Sequence, residues 1–202
     1  MPDEPSPESR GAAGRRVTRK ILLAVDLQRD FMAPLTAHLP ARVEALSERY
    51  GRVLATRFVN RPGSLWVTEV DCVKCMPGTA GVELAFRPRA PLVVVDKEGY
   101  GLLGSALRPA LAALAAAGVE RGDEVDICGL DTDACVLNTA LDLFDLGYRP
   151  RILIDACASG NGLDYHRRAE EIIRRQLGAK ALMRTDAGSL PPAGAEPAVV
   201  GT

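Results

Sequence analysis

Neither sign of charge prevails in this chain: 25 basic and 26 acidic side chains leave a formal charge of -1. There is thus no net field to draw nucleic acid or an anionic membrane surface, and a small molecule is the expected partner. Long apolar runs are missing too. The opening MPDEPSPESRGAAGRR lacks the uninterrupted apolar stretch of a secretory signal, and no later run reaches the length of a bilayer span, so the expected location is the cytoplasm. Cysteine is scarce and odd in number, five in 202 residues, which does not fit the disulfide framework of a small secreted protein and leaves free thiols to be expected. Cys72 and Cys75 form a C-x-x-C pair, but a zinc site needs about four ligands and no second pair follows.

What is present, 47% hydrophobic and 25% charged residues, suits one globular domain with an enclosed core. We assign that domain to residues 19–186, between tails at 1–18 and 187–202 that are rich in Pro, Gly and small or polar residues and have little to bury. Short β-branched runs at 21–27, 53–59, 92–96, 124–130, 151–156 and 181–184 read as strands, most of them apolar enough to be covered on both faces. They alternate with helical patterns. Val43, Leu46 and Tyr50 mark a first helix, and Leu107, Leu111 and Leu114 a second, opened by Ser105 and closed by Gly118. A third runs over 134–146 to Gly147 and a fourth from Asp164 to Leu177, stopped by Gly178. The fold class is therefore α/β: three layers, with about six parallel strands between helices, Rossmann-like in outline. Residues 60–89 form a long irregular insertion, and such insertions often wall a pocket.

Ligands of open α/β sheets bind outside the carboxyl ends of the strands. Three polar residues stand there in apolar surroundings: Asp26 after ILLAV, Lys97 after LVVVD and Cys135 beyond VDICGL. A carboxylate, an ammonium and a thiol at one edge make a nucleophile set, because a base and a cation favour the attacking thiolate. Cys135 also opens a helix, whose free N–H groups would stabilise a thiolate and then an oxyanion. Taken singly, a strand-end aspartate also serves as a turn residue and a lone cysteine as packing.

Taken together, AVDLQRDF, VVVDKEGY and GLDTDACVLNTA, joined by CMPGTAGVEL at 75–84, resemble the isochorismatase-like cysteine hydrolases over about residues 20 to 186. The resemblance implies that Asp26 takes the thiol proton, Lys97 holds the thiolate and Cys135 attacks a carbonyl to give a thioester. It implies a cis peptide between Leu130 and Asp131, which would aim the backbone amides of Asp131 and Cys135 at the oxyanion. A homo-oligomer, dimer or tetramer, is implied as well, and the Ala-rich 106–117 helix is a surface that could pack against a partner.

The pattern is broken in one place. Nicotinamidases of that family hold a divalent metal through an Asp-x-His segment and further histidines, whereas this chain has only His38 and His166. No metal and no other cofactor is expected, and nicotinamide itself fits poorly. Isochorismatases proper lack the cysteine, so Cys135 favours hydrolysis of a small amide, N-carbamoyl or ureido compound over vinyl ether cleavage. Phe31, Trp66, Tyr100 and Leu103 are the expected substrate-binding walls, able to hold a small planar molecule or else to pack a lid or a subunit. His166 is expected to fix the start of the fourth helix, and Cys128 and Cys157 to pack as small apolar residues. The alternatives are a binding or assembly module on the same scaffold, an isochorismatase-type hydrolase, or a thiol redox protein using Cys72 and Cys75.

Overall fold

Residues 21–25, ILLAV, are buried without interruption. Alternate residues of a strand face opposite sides, so an unbroken buried run requires cover on both faces. The computed structural model, which describes residues 19–185, supplies that cover. Its six parallel strands are β1 (Arg19–Val25), β2 (Tyr50–Phe58), β3 (Leu92–Lys97), β4 (Glu124–Gly129), β5 (Arg149–Cys157) and β6 (Leu182–Met183). The helices are α1 (Leu39–Ser47), the single turn α2 (Leu65–Thr68), α3 (Leu107–Ala116), α4 (Leu137–Asp145) and α5 (Leu163–Leu177). Helix α1 packs on β2, β4 and β5, α3 on β2 and β3, and α4 on β5 and α5. The terminal segments assigned as tails, 1–18 and 187–202, lie outside the described residues. Among those described, no helix is long and apolar enough to cross a membrane.

The strand order is β3-β2-β1-β4-β5-β6. The chain steps outward from β1 to β3, then crosses to the other side of β1 and steps from β4 to β6. Its direction reverses between β1 and β4, and a crevice opens at the carboxyl ends of such a pair. Gly129 lets these two strands approach. Its φ is +120°, and a Cβ there would lie 2.1 Å from the Val25 carbonyl oxygen. The next residue ties the strands together, as the Leu130 N–H bonds that same oxygen at 2.9 Å.

Several expected boundaries moved. Tyr50 opens β2 instead of extending the first helix, because its hydroxyl donates to the buried Asp126 carboxylate (2.6 Å) and a strand suits an aromatic residue. Ser105 caps nothing: α3 starts two residues later, with Ala106 at its N-cap and no side-chain cap. Asp164 sits inside the first turn of α5, where its charge suits the helix dipole, while Gly162 holds the cap position. The last strand shrinks to Leu182–Met183 because a 3-10 turn occupies Ala179–Ala181. Gly118, Gly147 and Gly178 follow their helices with positive φ, as expected.

Candidate active site

Four neighbouring strands deliver the site's polar groups. Asp26 follows β1 with φ of 48°, a left-handed conformation uncommon for a residue with a Cβ. Thr56 on β2 explains how the aspartate is held: its hydroxyl donates to Asp26 Oδ1 at 2.7 Å and accepts the Asp26 N–H at 3.2 Å. Lys97, the last residue of β3, donates to the carbonyls of Gly99 (2.7 Å) and Tyr100 (3.0 Å). Its Nζ stands 2.7 Å from Asp26 Oδ2, and both side chains are 1% exposed. The carboxylate is thus shared between the Lys97 ammonium and the Cys135 thiol, both of which act on it by charge and by hydrogen bonding.

Beyond β4 the chain turns through Leu130 and Asp131 into a π-helical turn, Thr132–Val136, which carries Cys135 and runs straight into α4. π-turns concentrate at functional sites. The turn is anchored by the Val136 N–H on the Asp131 carbonyl (3.0 Å) and by the Thr132 N–H on the Ala158 carbonyl (3.0 Å). The Thr132 hydroxyl and His166 Nδ1 share a hydrogen bond of 2.8 Å, and His166 Nε2 lies 3.5 Å from Glu170. His166 therefore does not fix the start of its own helix but ties α5 to the turn that carries Cys135. The implied cis peptide is likewise corrected. No peptide bond among the described residues is cis, and the left-handed Gly129 with an extended Asp131 (φ -81°, ψ 144°) makes the bend instead.

The Cys135 thiol interacts with both Asp26 and Lys97, so the three residues singled out in the sequence meet. Cys135 keeps a window onto a cavity, yet enough protein surrounds the sulfur that burial is the largest influence on it. Burial pushes the thiol up, Asp26 pushes it further, and Lys97 offsets only part of the rise. Burial would also lower Lys97, but Asp26 and then Cys135 outweigh it and hold the ammonium above its ordinary value. The resting sulfur is thus held toward its neutral thiol form beside the Asp26–Lys97 pair. Iodoacetamide is accordingly expected to modify Cys135 more slowly at pH 7 than it modifies a free thiol in solution, with the rate still climbing above pH 9. A rate that levels off below pH 8, read by mass at the Cys135 peptide, would contradict this charge arrangement.

The cavity outside Cys135 measures about 460 Å³. Its aromatic wall is continuous. Phe31 and Phe58 have ring centroids 6.4 Å apart, Phe58 and Trp66 4.8 Å, and Trp66 and Tyr100 4.4 Å. The irregular insertion does wall this cavity, through Trp66 and residues 70–74. Leu103, expected here, is outside the lining: it is 63% exposed, held by its N–H on the Asp142 carboxylate. Sequence reasoning missed Thr56 and Phe58. Both sit in the apolar run of β2, where a threonine or phenylalanine reads as an ordinary strand former.

All five cysteines are free. Burial raises Cys75 to about 12 and also raises Cys128 and Cys157, in line with packing roles. Cys72 is half-buried and lines the cavity. Both histidines line a second cavity of about 410 Å³ with Asp155, Glu170 and Arg184. Among the described residues no group of three or more His, Cys, Asp or Glu side chains could hold a metal ion.

A family model described as the isochorismatase domain matches residues 20–186. Isochorismatase domain-containing protein 2 of Xenopus laevis is 47% identical over 38 residues, which is 19% of this chain and 18% of the length of that relative. Among solved structures, N-carbamoylsarcosine amidase from Thermoplasma acidophilum is 26% identical and covers 82% of this chain and 96% of its own, with a TM-score of 0.67. Pyrazinamidase of Pyrococcus horikoshii in complex with zinc has the same TM-score, 0.67, at 24% identity over 82% of this chain and 98% of its own.

Proposed function

Because the chain belongs to the isochorismatase family, we propose that it is a metal-independent cysteine amidohydrolase that cleaves a C–N bond of a small amide, N-carbamoyl or ureido compound. The observation that carries this reading is the meeting of Asp26, Lys97 and Cys135 at the switch point of the sheet, with the Asp26 carboxylate in contact with both the ammonium and the thiol. His38 and His166 stand at the second cavity, and among the described residues no group of three or more His, Cys, Asp or Glu side chains could hold a metal ion. No step is assigned to a metal.

Asp26 takes the thiol proton as sulfur attacks the carbonyl carbon, and the backbone N–H of Cys135, ahead of α4, receives the developing oxyanion, whereas the trans Leu130–Asp131 peptide removes the ground for counting the Asp131 amide beside it. Lys97 offsets the negative charge while it sits on sulfur. Collapse of the adduct expels ammonia or an amine, which leaves with the proton held by Asp26, and a thioester remains. Asp26 then activates water, which releases the acid and restores the thiol. The aromatic wall would hold a planar substrate against Cys135, and N-carbamoylsarcosine amidase, at 26% identity, supports C–N cleavage as the reaction.

The reading is tested by a screen of small carboxamides, ureas and N-carbamoyl compounds for ammonia release, with the Cys135→Ala variant as blank. At least one compound should be turned over by the native protein alone. Silence across the whole panel, or equal release by the blank, would remove the amidohydrolase reading.

A further inference from the structure

Asp26 and Lys97 come from β1 and β3, strands that are not neighbours, so their ion pair reaches across β2. Thr56 stands on that intervening strand and is 0% exposed. The β1–β2 ladder closes on Ala24 and Ala55, and Asp26, beyond it, turns left-handed with φ of 48°. Its N–H therefore leaves the ladder inside the protein, where an unpaired donor is costly. The Thr56 hydroxyl accepts that N–H at 3.2 Å and donates to Oδ1 of the same residue at 2.7 Å.

This double contact can run in one direction only. A backbone N–H donates and a carboxylate accepts, so the hydroxyl proton lies on Oδ1. Oδ2 is left on the Lys97 side, 2.7 Å from Nζ. Lys97 has anchors of its own in the Gly99 and Tyr100 carbonyls. With one oxygen tied to β2 and the other to an anchored ammonium, the carboxylate is held against rotation about its Cβ–Cγ bond. Thr56 is too enclosed for water to take the place of its hydroxyl.

We propose that Thr56 is a positioning residue for the proton transfer: its hydroxyl fixes the rotation of the Asp26 carboxylate, so that the Cys135 proton passes to an acceptor already in place. This rests on the amidohydrolase reading for the reaction served. A misplaced base costs rate and not affinity, because the aromatic wall, not Asp26, would hold the substrate. The same hold acts on the resting thiol. Asp26 pushes Cys135 up against the partial offset of Lys97, and a carboxylate released from Thr56 would lose part of that effect.

Thr56→Val removes the hydroxyl at nearly constant volume, and Thr56→Ser keeps it. With a compound that the native protein hydrolyses, Thr56→Val should lower kcat roughly 100-fold and leave KM within about 3-fold, the pattern of a displaced catalytic group. Thr56→Ser should stay within about 5-fold of the native protein on both constants. Without any substrate, iodoacetamide at pH 8 should label Cys135 in Thr56→Val at about 3 times the native rate or more, and in Thr56→Ser at the native rate. The buried Cys128 and Cys157 should stay unlabelled throughout, which a merely loosened fold would not allow. A valine variant with native kcat, a loss carried by KM, a serine variant no better than valine, unchanged labelling of Cys135, or labelling of Cys128 and Cys157 along with it overturns the assignment. If the native protein hydrolyses nothing while the labelling behaves as expected, the hydrolytic reading falls and Thr56 keeps its hold on Asp26.

Discussion

Cys135→Ala is expected to lower kcat/KM for ammonia release by on the order of 10^4-fold or more, the scale seen when a nucleophile that acts as a unit with its base is removed. Everything else in the site should persist. Asp26 keeps its ion pair with Lys97 (2.7 Å) and its bond from Thr56 (2.7 Å), the aromatic wall is untouched, and the variant should still bind substrate with near-native affinity. Cys135→Ser should be almost as inactive. A serine hydroxyl is a far weaker acid than a thiol, and a carboxylate alone is a poor base toward it. Hydroxylamine added during turnover of a carboxamide should yield a hydroxamate with the native protein (an N-hydroxyurea from a ureido substrate) and none with the alanine variant, because interception needs an acyl or carbamoyl group held on the enzyme. An alanine variant that retains a tenth of native activity would mean that water, not sulfur, attacks the carbonyl.

Much of this site is visible in the sequence because its key residues are chemical exceptions in their surroundings. Asp26 ends the apolar run ILLAV, Lys97 ends LVVVD, and Cys135 follows a strand that closes in glycine. The strands are equally plain, since a strand covered on both faces must be apolar at every position. What stays hidden depends on partners distant in the chain. Thr56 looks like a strand former until Asp26 is placed beside it. Tyr50 has helical spacing from Leu46, and only the buried Asp126 explains why it begins a strand. Leu103 follows β3 closely enough to suggest a pocket wall, but the Asp142 carboxylate on α4 holds its backbone out of the lining. His166 has a local reading as a helix-start residue and a spatial one as the partner of Thr132, 34 positions earlier.

Asp26→Asn should cost about 3 to 5 kcal/mol of folding stability at neutral pH, the usual penalty for breaking a buried ion pair and stranding one charge. For a domain of this size that is on the order of a 10 °C fall in Tm. Both partners are 1% exposed, so little solvent screening softens the loss. The pH dependence has a definite sign. With Asp26 present, the Lys97 ammonium is held above its ordinary value, so its contribution is complete below the unfolded lysine value, about 10.4, and is lost as pH rises through the higher folded value. With asparagine, burial is left as the main influence and Lys97 sheds its proton more easily. The stability gap between variant and native protein should therefore be widest near neutrality and narrow as pH climbs toward 10, as measured by urea unfolding at successive pH values. Adding Lys97→Met should restore part of the loss, since two uncharged groups need no counter-charge, and the double variant should lose less than the sum of the singles. It should still be inactive. A buried pair is a weak way to stabilise a core, which apolar residues of similar volume would serve as well or better. Under the proposed mechanism this pair serves proton transfer with the thiol that contacts it; strictly additive losses in the cycle would show instead that the two charges do not act on each other.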